Sequence, residues 1–340
     1  THVDQFVHEE QSGFKHFLVY EHGSFRLRSR YQNNGQEVRR EARPNLIRYR
    51  KDGTIDKGFD FVVLLCWNKD IISSKLELDA HASLAQALAE PIEIRRSVLG
   101  PFASFEAAEQ AALAWRALGV PAEVAHPRDW EVWAPADAPA PQGTAPRQLQ
   151  QRLTQQRVLQ FNAASGWRSL KGPVQIQAPG GLRFNGGVFT GPFRLQVDAY
   201  GSWTLVEQVP LERYLQGVVP HEIGAGAPAA ALAAQAVLAR TWALRNRHRF
   251  EVDGYHLCSD TQCQVYSDPR QAGSAVRQAV SRTAGQVLAQ NGEPIHAVYH
   301  ASNGGVSADE DEAWPLPELG YLEPSLDLAG AAAQGLSLPL

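Results

Sequence analysis

The chain has 340 residues, 44% of them apolar and 20% charged, with a formal net charge of −4. That length allows more than one core-forming domain, and the mild acidity argues against nucleic acid as a partner, since such binders carry a basic footprint. No apolar run reaches the ~18 residues that a membrane-spanning helix requires. The numbering opens at Thr1 and there is no methionine, which reads as a mature product or an excerpt.

Residues 1–79 contain one alanine, Ala42, whereas alanine dominates from Ala80 onwards. Alternation over 24–28 and 46–49 predicts half-exposed strands. Asp52-Gly53 predicts a hairpin turn between them and Ile55, and the apolar run 61–67 a buried strand. Acids dilute the basic residues here, so the charges read as a solvated sheet face. Cys66 is expected as a small buried thiol. No chemical motif stands out in this β-rich segment.

Residues 92–133 read as strand, helix, strand, strand. The first strand, 92–99, is interrupted by Gly100-Pro101. Ser104 is a good N-cap, with Glu106 in the first turn. Ala108, Ala111, Ala112, Trp115 and Leu118 form an apolar stripe at helical spacing, and Gly119 ends the helix. Strands follow at 120–125 and 130–133. The order resembles half of the SPOR module, a ferredoxin-like domain that binds bare peptidoglycan glycan strands. The alternative is a generic β-α-β packing unit. Residues 134–148 are Pro/Ala-rich without periodicity and read as a linker. The expected division is 1–79, an α+β unit at 80–133, a linker at 134–157 and a main domain at 158–340.

From Val158 the pattern turns to β. Runs at 174–176, 182–184, 193–197 and 203–206 alternate between Gly-rich turns, as antiparallel strands do. Pro210 opens a short helix with Leu211, Tyr214 and Leu215 on one face. Glu222 follows, between Pro220-His221 and Ile223-Gly224. Its apolar flanks would raise a carboxyl pKa, whereas a nearby helix N-terminus would lower it. Gly224 to Ala227 supply a spacer before the next helix, which is expected from Pro228 to about Arg249. Leu232, Gln235, Ala236, Ala239, Ala243 and Asn246 form its buried face. A further helix is expected over 269–283, capped by Asp268. A hairpin through Asn291-Gly292 then joins 287–289 to 295–300, and 301–305 leaves it as a Gly loop. The expected fold class is α+β, an antiparallel sheet with packed helices preceded by smaller α+β units.

Three blocks agree in residue and in order: VPLERYLQGVVPHEI…AAQAVLARTWAL at 209–244, CSDTQCQVY at 258–266 and PIHAVYHASNGG at 294–305. With Thr283-Ala284-Gly285, they resemble the SpoIID/LytB family, stage II sporulation protein D and the amidase enhancer. The resemblance covers roughly residues 165–325. It implies a lytic transglycosylase, which cleaves MurNAc–GlcNAc bonds in denuded glycan strands and leaves 1,6-anhydro ends, with Glu222 as the lone general acid/base. The alternative it implies is a non-catalytic glycan-binding enhancer of an N-acetylmuramoyl-L-alanine amidase. It also implies a place in the cell envelope.

By the same resemblance Arg240 and Thr241 line the groove. Tyr299, His300, Ser302, Asn303, Gly304 and Gly305 form its second wall, where hydroxyl and amide groups beside glycines suit neutral sugars. Ile223 stands where relatives usually carry methionine, a volume-conserving exchange. Cys258 and Cys263 either form a disulfide or a reduced pair, or join His256 in a structural zinc site. A zinc-binding relative carries histidine where this chain has Gln262, which leaves three ligands where a structural site wants four. The chemistry itself requires no cofactor. A two-carboxylate hydrolase would need a second acid ~5–9.5 Å from Glu222, and Asp253, Asp260 and the acids at 309–312 are the candidates.

Overall fold

The computed structural model describes residues 81–163, 166–169, 173–184 and 186–300. It also describes strands between residues 14 and 64 and short pieces between 306 and 326. For strand residues up to 87 and for most of 157–168 only the backbone is described. Asp52-Gly53, Cys66, Ser302, Asn303, Gly304, Gly305 and the acids at 309–312 lie outside the described residues. The chain packs as two compact units. The first holds Thr1–Lys57, Ile223–Arg245 and Ser274–Leu340; the second holds Gly58–Glu222 and Asn246–Gly273. The fold class is α+β, with antiparallel sheets and four α-helices among the described residues.

In the second unit a five-stranded antiparallel sheet runs in the order Gly166–Ser169, Arg147–Ala163, His81–Phe102, Trp130–Pro135, Glu123–Ala125. Helix α1, Phe105–Ala117, packs on it. Ser104 caps α1 as the sequence predicts, its hydroxyl accepting from Ala107 N at 3.2 Å. Leu99, Val124 and Val132 share a core with Phe105, Ala112 and Trp115 of α1. Their neighbours Val98, Ala125 and Trp133 point to the opposite face, where Ala199, Tyr200 and Val252 pack against them. The sheet centre is thus covered on both sides, as a packing layer is.

The expected linker is not one. Trp115 donates through Nε1 to Pro139 O at 2.8 Å, which docks the Pro/Ala stretch on α1. Arg147–Ala163 is a 17-residue strand paired with His81–Phe102. Its polar composition conceals it, because cross-strand backbone bonds form whatever the side chains are. The expected boundary at 134–157 is therefore bridged: strand pairing joins its second half to the layer at 81–135.

The unit's second sheet has the order Val174–Ile176, Phe193–Val197, Trp203–Pro210, Asp60–Leu64. The three predicted strands pair as consecutive antiparallel neighbours, and the apolar run near residue 61 adds the fourth strand from far away in sequence. Helix α2, Leu211–Val219, leaves this sheet with Tyr214, Leu215, Val218 and Val219 buried.

In the first unit helix α3, Ala229–Arg245, buries Leu232, Gln235, Ala236, Ala239 and Ala243 as expected, but it stops four residues short of the predicted end. It packs on helix α4, Ser274–Arg282, and on the strand Gln286–Gln290. The single helix predicted over 269–283 is two elements. A 3₁₀ turn, Pro269–Gln271, capped by Asp268, ends at Ala272, whose backbone is extended at ψ 124°; α4 starts after Gly273. Gln286–Gln290 turns through Asn291 and Gly292, at φ 53° and 88°, into a strand of only two residues, Glu293–Pro294. The predicted strand 295–300 leaves the ladder after Ile295, whose N–H still reaches Leu288 O at 3.1 Å, and His296 N donates instead to the Tyr321 hydroxyl at 3.0 Å. The other edge of Gln286–Gln290 pairs with Asn45–Arg48. No helix among the described residues is long and apolar enough to cross a membrane.

Candidate active site

Glu222 lies in a π-helical turn, Pro220–Gly224, that continues α2. Pro220 has no N–H for the carbonyl four residues back, so the α ladder cannot continue and the turn widens. Gly224 closes it at φ +86°, a left-handed conformation that favours glycine. The Glu222 side chain is half-buried. Its Oε1 accepts from Val265 N at 2.8 Å. Oε2 has no hydrogen-bond partner among the described residues. Burial pushes the carboxyl above its ordinary pKa, against the Val265 N–H and the nearby His221, which both favour the ionised form. Of the pulls expected from sequence, burial is the one that dominates; what opposes it is the Val265 N–H and His221.

The donor Val265 belongs to a loop tied down at many points. Cys258 and Cys263 form a disulfide, and Cys258 N donates to Cys263 Sγ at 3.0 Å. Tyr266 N reaches Ser259 O at 3.1 Å, and Ser267 N reaches Gly217 O on α2 at 3.1 Å. The buried Gln264 accepts from the Tyr214 hydroxyl at 3.1 Å. The Tyr266 ring stacks on Tyr214 with centroids 5.1 Å apart.

Of the alternatives for the cysteine pair, the disulfide is the one formed. Sulfurs bonded to each other are not thiolate ligands, and among the described residues no group of three or more His, Cys, Asp or Glu is placed to hold a metal ion. His256 is partly buried, which holds its imidazole below the usual range.

Sequence reasoning did not single out Glu207. It is 1% exposed. One oxygen accepts from Thr190 N at 3.2 Å and Gly191 N at 3.0 Å; the other accepts from the Tyr266 hydroxyl at 2.8 Å. Burial pushes its pKa up, against these donors and Arg213. The signal was present: Glu207 shares strand parity with the buried Leu205 and Val209, while Gln208 is exposed.

Glu222, Cys258, Cys263 and His256 belong to the second unit, whereas Arg240, Thr241, Tyr299 and His300 belong to the first. Arg240 is 1% exposed and donates to Gln286 O at 2.9 Å and to Ala236 O at 3.3 Å. Thr241 has no exposed surface; its hydroxyl donates to Val237 O at 2.7 Å and accepts from Leu288 N at 2.9 Å. The expectation that Thr241 lines a groove is thereby corrected: it latches α3 to the strand Gln286–Gln290. Tyr299 is partly exposed and His300 exposed, as surface contact requires. Of the candidate second acids, Asp253 is buried, with its oxygens committed to Ala199 N at 3.1 Å and the Tyr200 hydroxyl at 3.0 Å. Asp260 is exposed and accepts from Gln262 N at 2.9 Å.

A family model for stage II sporulation protein SpoIID matches residues 199–289, the stretch that carries α2, Glu222, α3 and the disulfide loop. An uncharacterized protein of Brachyspira hyodysenteriae is 30% identical over 138 residues, 39% of this chain and 36% of the relative. Stage II sporulation protein D of Bacillus subtilis is 33% identical over 124 residues, 32% of this chain and 36% of the relative. The amidase enhancer of the same organism is 38% identical over 100 residues, 29% of this chain and 13% of the relative. The chain thus spans little more than a third of the length of the curated relatives it matches, and less of the amidase enhancer. The match does not extend to the SPOR-like segment. The family model covers the first two of the blocks read from sequence, and relatives bearing both family names match the chain: the stretch that holds Glu222 is similar to the SpoIID/LytB family.

Proposed function

We propose that this chain is a peptidoglycan lytic transglycosylase acting on denuded glycan strands, with Glu222 as its single general acid and base. The observation that carries the reading is the Glu222 carboxyl, half-buried, raised in pKa and anchored through Oε1, with no hydrogen-bond partner for Oε2 among the described residues. A general acid needs this combination: a proton retained towards neutral pH and a fixed direction in which to give it. Protonated, Glu222 donates to the glycosidic oxygen as the bond from C1 to that oxygen breaks. Ionised, it takes the proton of the muramyl C6 hydroxyl while that oxygen bonds to C1. The carboxyl ends as it began, no water is consumed and a 1,6-anhydro end results. The burial of Asp253 and its bonds to Ala199 and Tyr200 speak against a two-carboxylate hydrolase built on that acid. No metal enters these steps.

An envelope location accords with the disulfide, which persists in oxidising compartments. The partner is the glycan strand, whose hydroxyl-rich surface suits the residue types at Tyr299, His300, Ser302, Asn303, Gly304 and Gly305, while Arg240 is buried within α3 and bonded to Ala236 O and Gln286 O. Incubation with denuded glycan followed by mass spectrometry should give anhydro-muramyl products, and Glu222→Gln should lower the yield by about 10²-fold or more. Reducing ends, or equal product from the variant, would refute the assignment. The likeness to the amidase enhancer favours a second reading, a glycan-binding protein that stimulates an N-acetylmuramoyl-L-alanine amidase. In that case glycan pelleting and amidase stimulation survive Glu222→Gln and no anhydro product forms.

A further inference from the structure

We propose that Glu207 and Tyr266 are a positioning pair for Glu222: they hold the Val265 N–H on Oε1 and so assign the transferable proton to Oε2. This rests on the acid/base role given to Glu222 above. Val265 is fixed through both of its neighbours. On one side the buried Gln264 accepts from Tyr214. On the other, the Tyr266 hydroxyl donates to Glu207 at 2.8 Å and its backbone N–H reaches Ser259 O at 3.1 Å. The Val265 N–H between them has its orientation set by its surroundings and meets Glu222 Oε1 at 2.8 Å.

Glu207 is otherwise hard to account for. Its position on the strand Trp203–Pro210 points inward, between Leu205 and Val209, where an apolar side chain would avoid the cost of burying a carboxylate. What the carboxylate adds is acceptors aimed at two places: the turn at Thr190 and Gly191, and the loop at Tyr266. It ties the rigid sheet to the residue next to Val265. Glu207 is the first charge acting on Tyr266, Arg213 acts on both members of the pair, and His221 acts on Glu222.

The consequence for the carboxyl is chemical. An N–H can donate to Oε1 whether the group is ionised or protonated, but it excludes a proton from that oxygen. The proton is then given and recovered at Oε2. Without the donor the proton can occupy either oxygen, and the ionised form loses a bond that stabilises it.

Backbone amides labelled with ¹⁵N-valine and side chains labelled at ¹³Cδ of glutamate report both ends of this bond. Val265→Ile and Glu222→Gln supply the assignments. In the wild type the Val265 amide proton should shift with the same midpoint as the Glu222 carboxyl. In Tyr266→Phe that response should shrink to roughly half or less, the Glu222 midpoint should move up, and kcat on glycan should fall about tenfold with KM changed less than about twofold. Glu207→Gln, which keeps the shape, should move all three in the same direction and serves if Tyr266→Phe does not fold by near-UV circular dichroism. A Val265 amide silent to the Glu222 titration, or variants that leave amide response and midpoint unchanged, would overturn the pairing. Should the amide follow the carboxyl, and lose that dependence in the variants, while no glycan is cleaved, the positioning stands and the transglycosylase reading falls.

Discussion

Thr241 sits wholly inside the first unit, with its hydroxyl donating to Val237 O and accepting from Leu288 N. Thr241→Val removes that acceptor without changing shape and leaves a buried N–H unmatched, which costs about 1–3 kcal/mol. Denaturant unfolding should show that loss, and Thr241→Ser should recover most of it; equal stability of Thr241→Val and wild type would contradict the latch. Glu222 is placed differently, half-buried with its Oε1 on the Val265 N–H. Its setting, a lone acid between apolar blocks, was legible in the sequence, since that is a local pattern. Its partner was not, because Val265 N–H is a backbone group 43 residues away and no side-chain identity announces it.

At the scale of elements, α2 and the disulfide loop act as one piece. Gly217 is the point of closest approach: a Cβ there would meet the Ser267 carbonyl and come within 2.5 Å of the Tyr266 ring. Alanine favours a helix over glycine by about 1 kcal/mol, but the collision involves backbone, which must shift. Gly217→Ala should therefore be net destabilising by about 1–3 kcal/mol. It should also weaken the Val265 contact with Glu222, since Ser267 N bonds Gly217 O. A rise in thermal midpoint for this variant would show that the packing is looser than the structure has it. The strands at 174–176, 182–184 and 193–197 were readable because their alternation and Gly turns are local signals. Arg147–Ala163 was not, because its polar run becomes a strand only beside His81–Phe102.

For the molecule as a whole, buried carboxyls couple stability to pH. Asp253 is pushed up to about 6 by burial, against the Ala199 N–H and the Tyr200 hydroxyl, with Asp198 adding to the rise. In the unfolded chain an aspartate titrates near 3.9. The folded form therefore holds more protons between these values, and stability falls as pH rises. The Asp253 contribution is fully present below about pH 4 and is lost as pH rises through about 6. Relative to Asp253→Asn, wild-type unfolding free energy should drop by roughly 1–3 kcal/mol between about pH 4 and pH 7.5. A wild-type-to-variant difference that stays flat with pH would contradict it.

By itself the sequence determined the α+β class, the order of most elements in residues 92–133 and 174–294, and the choice of Glu222 as the acid to watch. Periodicity, caps and turn residues are properties of neighbours a few positions apart, so they are written locally. Only the tertiary structure decided that Cys258 and Cys263 bond to each other, that Thr241 faces a core, that residues 45–48 and 60–64 complete sheets formed by distant strands, and that Glu207 and Tyr266 meet across 59 positions. Those outcomes depend on which segments pack together. Burial then sets the charge and reach of each polar group, and no short window of sequence contains that information.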